Sequence, residues 1–146
     1  MIDYATEEAM EDAFVAYLKS VLPGDVMVFA AMTRDEVKFP SVIVAVSSSD
    51  NPNETSGWNR QRLMEMEIKL GVEAMDIKSA GIVAQTLRDR NSTLRAAVLE
   101  ALTVADLPAR INDTGLVRIS LVTIGAMKRG VDGRIMETAI PLAVLT

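Results

Sequence analysis

The chain has 146 residues, 49% of them apolar, with 20 Asp or Glu against 15 Lys or Arg, a formal net charge of −5, and neither His nor Cys. This length is typical of one domain and allows a hydrophobic core without disulfides, so we expect a single domain over residues 1–146. The missing His and Cys exclude imidazole bases, thiol nucleophiles and most transition-metal sites, and the negative charge disfavours a general duplex-DNA binder.

The first half of the chain predicts one amphipathic helix and three strands. Apolar residues recur at three- and four-residue spacing from Glu7 to Leu22, where Pro23-Gly24 stops the helix. The polar segment 47–61 supports neither the helical nor the strand period, so it predicts a long loop of the kind that is disordered or used for binding. Runs rich in Val and Ile and one strict alternation predict strands at Val26–Met32, Ser41–Val46 and Met64–Ala74.

The alternating strand Met64–Ala74 is unusually long. At about 3.3 Å per residue it extends over roughly 35 Å, which exceeds a typical strand. We therefore expect it to project beyond its own sheet and to offer a subunit contact.

The second half predicts one helical region and a closing hairpin. An apolar stripe predicts a helix from Ser79 to Leu102, which the Asn91-Ser92-Thr93 run is expected to bend or divide and Leu107-Pro108 to end. Alternation predicts a strand from Leu116 to Ile124, and the turn that follows contains Asp132-Gly133, a favoured hairpin pair.

A last strand is predicted from Ile135 to Leu145, with Pro141 inside it. Because proline lacks a backbone donor, this strand is expected at an edge or with a bulge. The order of elements predicts an α+β fold, in which a single mixed, mostly antiparallel sheet of about five strands carries two amphipathic helices on one face.

No motif predicts catalysis. Asp113-Thr114-Gly115 has the sequence of an aspartic-protease loop, but such proteases are almost all β, so a turn leading into the Leu116 strand is the favoured interpretation. Asp25, Asp35, Glu36 and Asp50 lack the spacing of a calcium loop, and Gly-rich phosphate loops are absent from the sequence. We therefore expect no enzyme activity, no cofactor and no metal.

Several residues are candidates for contact with a partner. Trp58, the single Trp, lies beside Arg in the most polar segment, where it either anchors an interface or folds back over its own core. Basic residues flank the final hairpin, and paired Met residues on one strand serve either as core or as interface filler. The candidates are Trp58, Asn59, Arg60, Arg62, Met64, Met66, Lys128, Arg129, Arg134 and Pro141.

The acidic residues are concentrated near the N-terminus. Residues 1–50 carry nine acids and three bases, whereas residues 51–100 carry seven of each. The first residues are acidic where a signal peptide would be basic, and no apolar run approaches the roughly 20 residues of a membrane span. We therefore expect synthesis in the cytoplasm and no membrane partner.

The layout of the whole chain resembles the tail-terminator proteins of long-tailed bacteriophages. The resemblance rests on the acidic N-terminal helix, the FPSVIVAV strand (Phe39 to Val46), the long polar loop, the alternating MEMEIKLGVEA strand, the LRAAVLEAL helix and the closing hairpin. It implies a small α/β protein that assembles as a hexameric ring on the tail tube, stops tube growth and provides the surface to which the filled head docks.

The partners implied by the resemblance are other copies of the chain, the tail tube protein and the neck or head-completion protein. DNA would pass through the lumen as cargo, and an acidic lumen would repel its phosphates. The virion is then the expected location. Two other functions stay open from the sequence, a head-completion or neck connector and a small cytosolic α+β module that dimerises through its sheet edge.

Overall fold

The computed structural model describes residues 6–31, 38–49 and 63–146. In these residues the helices are α1 (Glu7–Val21), α2 (Val83–Leu102) and α3 (Leu107–Asn112), and a short 3-10 helix, Ala80–Ile82, precedes α2. The strands are β1 (Met27–Ala30), β2 (Ser41–Ser49), β3 (Leu63–Glu73), β4 (Leu121–Ile124), β5 (Lys128–Asp132) and β6 (Ile135–Leu145).

These strands form one mixed sheet in the order β1-β2-β3-β6, and both β4 and β5 pair with the far side of β6. β1 and β2 are parallel, and the other described pairs are antiparallel. Even-numbered side chains of β3 and β6 are buried in the core, because successive side chains of a strand point to opposite faces. The predicted α+β fold is therefore confirmed, with one strand and one helix more than expected.

β3 does not project beyond the sheet, so the predicted overhang is wrong. Every residue from Leu63 to Glu73 pairs with a residue of β6, and β2 pairs with the other side from Met64 to Gly71. The long strand is accommodated because β6 also has 11 residues.

β6 is an interior strand, so of the two alternatives predicted for Pro141, an edge or a bulge, the edge is wrong. The register does shift by one residue beside Pro141, where residues 125–127 lie opposite residues 140–141. Pro141 pairs with Glu67 of β3 on one side, and on the other its carbonyl accepts a hydrogen bond from the Gly125 N–H at 2.8 Å. Gly125 lies between β4 and β5. The N–H and C=O groups of a strand residue point to the same side of the strand. An N–H at position 141, which proline does not have, would therefore point to the break between β4 and β5 and not to β3.

The helices pack on one face of the sheet, α1 against β1 and β2, and α2 against β3 and β6. α2 is continuous through the Asn91-Ser92-Thr93 run, so this run does not divide the helix, which was one of its two predicted effects. Asn91 is instead buried, and its Nδ2 donates to Thr138 Oγ1 of β6 at 2.7 Å. Pro108, predicted to end a helical region, lies in the first turn of α3, where proline is well tolerated.

The predicted strand Leu116–Ile124 is confirmed only for its last four residues, which form β4. The Asn112 side chain donates from Nδ2 to Ile119 O at 2.9 Å and accepts from the Ile119 N–H at 2.7 Å. An amide side chain thus replaces a neighbouring strand as the hydrogen-bonding partner. Val117 and Ile119 are nevertheless buried, which explains the alternation in the sequence.

β5 forms where the sequence predicted only a turn. The turn between β5 and β6 consists of Gly133 and Arg134, with Gly133 at a φ of +59°. Asp132 is therefore the last residue of the strand instead of a central turn residue, and it pairs with Ile135.

Candidate partner surfaces

Exposed apolar side chains are frequent in the segment that contains β4 and β5. Half of the large hydrophobic side chains that are exposed in the described residues lie between positions 116 and 131. Leu121 and Val131 are 54% and 60% exposed, respectively. Leu121 pairs with Leu145 and Val131 with Met136, so these two side chains lie near opposite ends of β6 and on opposite faces of the sheet. An exposed edge strand is a place where another chain can pair. The four residues are Leu116, Leu121, Met127 and Val131.

Residues 127–131 combine this apolar surface with positive charge, and we call them the basic edge. Lys128 and Arg129 are exposed and lie between Met127 and Val131 in the chain. In an antiparallel hairpin closed by a two-residue turn, Asp132 and Ile135 form the hydrogen-bonded pair next to the turn. Hydrogen-bonded and non-hydrogen-bonded pairs alternate along the ladder, so the pairs made by Val131 and Arg129 are not hydrogen-bonded. Their backbone N–H and C=O groups therefore point away from β6, toward any strand added at this edge.

A groove of about 610 Å³ lies between α2 and the segments that lead into β1 and β2. The basic edge lies beyond β6, which separates it from β3 in the sheet. Apolar side chains line the groove, namely Pro23, Val26, Phe39, Pro40, Leu94 and Ala97. Charged side chains also border it, namely Asp25, Glu73, Asp76, Asp89 and Arg90.

Arg90 is held inside the groove by acceptors of the same chain. Its two terminal nitrogens donate to the two oxygens of Asp76 at 2.7 and 2.9 Å, and Nη1 also donates to Glu73 O at 2.8 Å. The hydrogen bonds from Arg90 lower the pKa of the Asp76 carboxyl to about 2. Within the described residues no ion pair engages Asp25, Glu73 or Asp89. The groove therefore carries a surplus of negative charge.

The structure separates the predicted partner residues into several groups. Met64 and Met66 are 0% and 1% exposed, which corrects their assignment to an interface because both lie in the core. Arg134 points inward, and its Nη1 donates to Ala74 O at 3.1 Å and to Ile77 O at 2.5 Å. Lys128 and Arg129 are exposed on β5, whereas Pro141 is half-buried. Trp58, Asn59, Arg60 and Arg62 lie outside the described residues.

Sequence reasoning missed the groove. Its lining comes from segments around positions 23–26, 39–40, 72–76 and 89–97, which no motif or periodicity connects. One sequence feature could have indicated the groove, namely Phe39-Pro40 just before a strand. An aromatic ring there lies outside the alternating residues that form the core.

The acidic motifs have local structural roles. The Asp113 N–H donates to Ala109 O, the Thr114 hydroxyl donates to Ile111 O, and Gly115 has a φ of +77°, so these residues end α3 as the turn interpretation predicted. Glu11 is 6% exposed, and its Oε2 accepts from the Val46 N–H at 2.8 Å where the β2 register shifts.

Neither metal-binding nor membrane-spanning elements are found in the described parts of the chain. No three acidic side chains there cluster closely enough to hold a metal ion, and of the predicted candidates Asp35, Glu36 and Asp50 lie outside those parts. Among the described helices, none has both the length and the apolar character needed to cross a bilayer.

Comparison of the sequence with models of known protein families and with curated proteins finds no match.

Proposed function

We propose that this chain is the structural subunit of a ring that caps the tail tube of a long-tailed bacteriophage, ends tube growth and provides the surface to which the head joins. The observation that supports the proposal is the exposed edge strand β5, every residue of which is exposed and in which the apolar Val131 is 60% exposed. A side chain of this kind is covered when a second protein binds there.

The two edges of the sheet differ, which favours a ring over a two-fold dimer. β1 is four residues long, and its Val28, Phe29 and Ala30 are buried, whereas β5 is exposed at every residue. A two-fold dimer joins the same patch on both subunits, while a ring joins two unlike patches head to tail. Unlike edges therefore favour a head-to-tail assembly, which forms a ring when the rotation between subunits closes.

The tail tube, the neck protein and DNA are the other partners in this proposal. Glu7, Glu8 and Asp12 are exposed on α1, whereas the Glu11 carboxylate is buried against β2. If α1 lines the lumen, three of its four acidic side chains are in position to repel passing DNA phosphates.

Native mass spectrometry and negative-stain imaging of the purified chain test the proposal, together with the length of tail tubes polymerised in its presence. We expect rings, in solution or on tube ends, and tubes that stop growing once capped. Val131→Glu should abolish assembly, whereas Ile82→Glu, at a site 52% exposed but far from this edge in the chain, should not.

The alternatives give different results in the same experiments. A stable two-fold dimer that leaves tubes uncapped would support the dimeric binding module. Binding to heads without an effect on tube length would support the head-completion or neck connector. A chain that stays monomeric in solution and does not bind tube ends would overturn the proposed function.

A further inference from the structure

We infer that the basic edge of one subunit binds in the groove of the next subunit, so that a second copy of this chain is the occupant of the groove. The inference rests on the proposed ring and identifies the contact that builds it. It is argued from the charges, the apolar surfaces and the positions of the two patches.

The groove offers apolar walls and excess negative charge. Phe39, Leu94 and Val26 supply part of the wall, and its volume of about 610 Å³ can receive several side chains. Asp25 and Asp89 are exposed at its border, and the Arg90 guanidinium is already bound by Asp76. An occupant with apolar side chains beside unpaired cations would complement this surface.

The basic edge has these properties. Met127 is 42% and Val131 60% exposed, and Lys128 and Arg129 lie between them. Arg129 and Val131 are on the same face of β5, because they pair with Thr138 and Met136 of β6. One strand thus presents an apolar side chain and a guanidinium together, with the Lys128 ammonium on its other face.

The positions of the patches require the contact to be between chains. β5 lies at one edge of the sheet, while Asp25 and Val26 precede the strand at the other edge. A subunit can therefore bind one neighbour through its basic edge and another through its groove. Repeated contacts of this type generate a ring when the rotation closes.

Charge reversal on each patch tests the inference. Variant one carries Lys128→Glu and Arg129→Glu, and variant two carries Asp25→Lys and Asp89→Lys; these four side chains are exposed, so both variants should fold. Each variant alone places like charges together, and its apparent dissociation constant for assembly should rise by about tenfold or more. The control, Lys78→Glu with Arg88→Glu, makes the same change in net charge as variant one, at exposed sites outside both patches, and should assemble as the wild type does.

An equal mixture of the two variants is the decisive measurement, made by native mass spectrometry or on tube ends. In a mixed ring the two variants alternate, which creates two kinds of contact. At one, the acidic strand of variant one meets the basic groove of variant two. At the other, the unaltered strand of variant two meets the unaltered groove of variant one, so we expect rings with an even number of subunits. Reversed variants that assemble as well as the wild type would overturn the inference and leave the ring proposal intact. A mixture that stays unassembled would also overturn the inference and leave the ring proposal intact. A wild-type chain that never forms rings would overturn both the inference and the proposed function.

Discussion

Gly71 of β3 is a position where a single methyl group should reduce stability. A Cβ added there would lie 2.7 Å from Ser41 Oγ and 2.9 Å from a ring carbon of Phe39, closer than side chains tolerate. Ser41 is 2% exposed, so its hydroxyl has little room to move aside. Overpacking of this kind costs about 1–3 kcal/mol, and the lower entropy of the unfolded alanine chain offsets only about 0.4–1 kcal/mol. Gly71→Ala should therefore lower the free energy of unfolding by about 1–2 kcal/mol.

Gly130 of β5 provides the matched control, because a Cβ there would meet nothing within 4 Å and its φ is not in the left-handed region. Gly130→Ala should leave the free energy of unfolding unchanged or raise it by about 0.4–1 kcal/mol. Urea unfolding followed by circular dichroism measures both variants, with equal m values showing that only stability has changed. If Gly71→Ala proved as stable as Gly130→Ala, the close packing of Phe39 over β3 would be refuted.

Two further predictions concern polar contacts of α2. Thr138→Val removes the hydroxyl that Asn91 Nδ2 binds, and since Asn91 Oδ1 already lacks a partner in the described structure, it should lower the free energy of unfolding by about 1–3 kcal/mol. Adding Asn91→Leu should restore much of this loss, and a double variant as unstable as the sum of the single ones would contradict the argument. The Asp76 pKa of about 2 lies below its ordinary value of 3.8. The ion pair between Asp76 and Arg90 therefore stabilises the folded state fully above about pH 4, and this contribution is lost as the pH falls toward 2. The difference in urea midpoint between the wild type and Asp76→Asn should therefore become smaller as the pH falls from about 4 to 2. A difference that stays constant over this range would show that the ion pair with Arg90 does not cause it.

The elements that could be predicted from the sequence are those whose periodicity reflects burial on one face. α1 begins and ends within one residue of its predicted bounds. β3 and β6 follow their alternation because, among the described residues, the helices cover only one face of the sheet. The prediction of an overhang for β3 failed because strand length alone carries no information about the length of its neighbours.

Features that depend on contacts between distant segments could not be predicted. Asn112 takes the place of a strand for Ile119, so the alternation around Val117 reports burial and not strand pairing. β5 lacks an apolar period because all its residues are exposed, and in the described part of the chain it is held in the sheet by its pairing with β6. The groove is built from segments up to about 70 residues apart, and its negative charge becomes visible only when Arg90 is seen to be bound by Asp76.

Arg134 and Arg129 show why a cluster of basic residues cannot be read as one surface. They belong to the same hairpin, but Arg134 donates to two backbone carbonyls, Ala74 O and Ile77 O, whereas Arg129 is exposed. Arg134→Met should therefore lower the free energy of unfolding by about 1–3 kcal/mol, since two hydrogen bonds from a charged donor are lost. Ala74 O would keep the hydrogen bond that it accepts from the Ile77 N–H at 3.2 Å. Arg129→Met should leave unfolding within about 0.5 kcal/mol of the wild type and weaken assembly instead. If both variants unfolded at the wild-type urea midpoint, Arg134 would not be holding the segment after β3 to the hairpin.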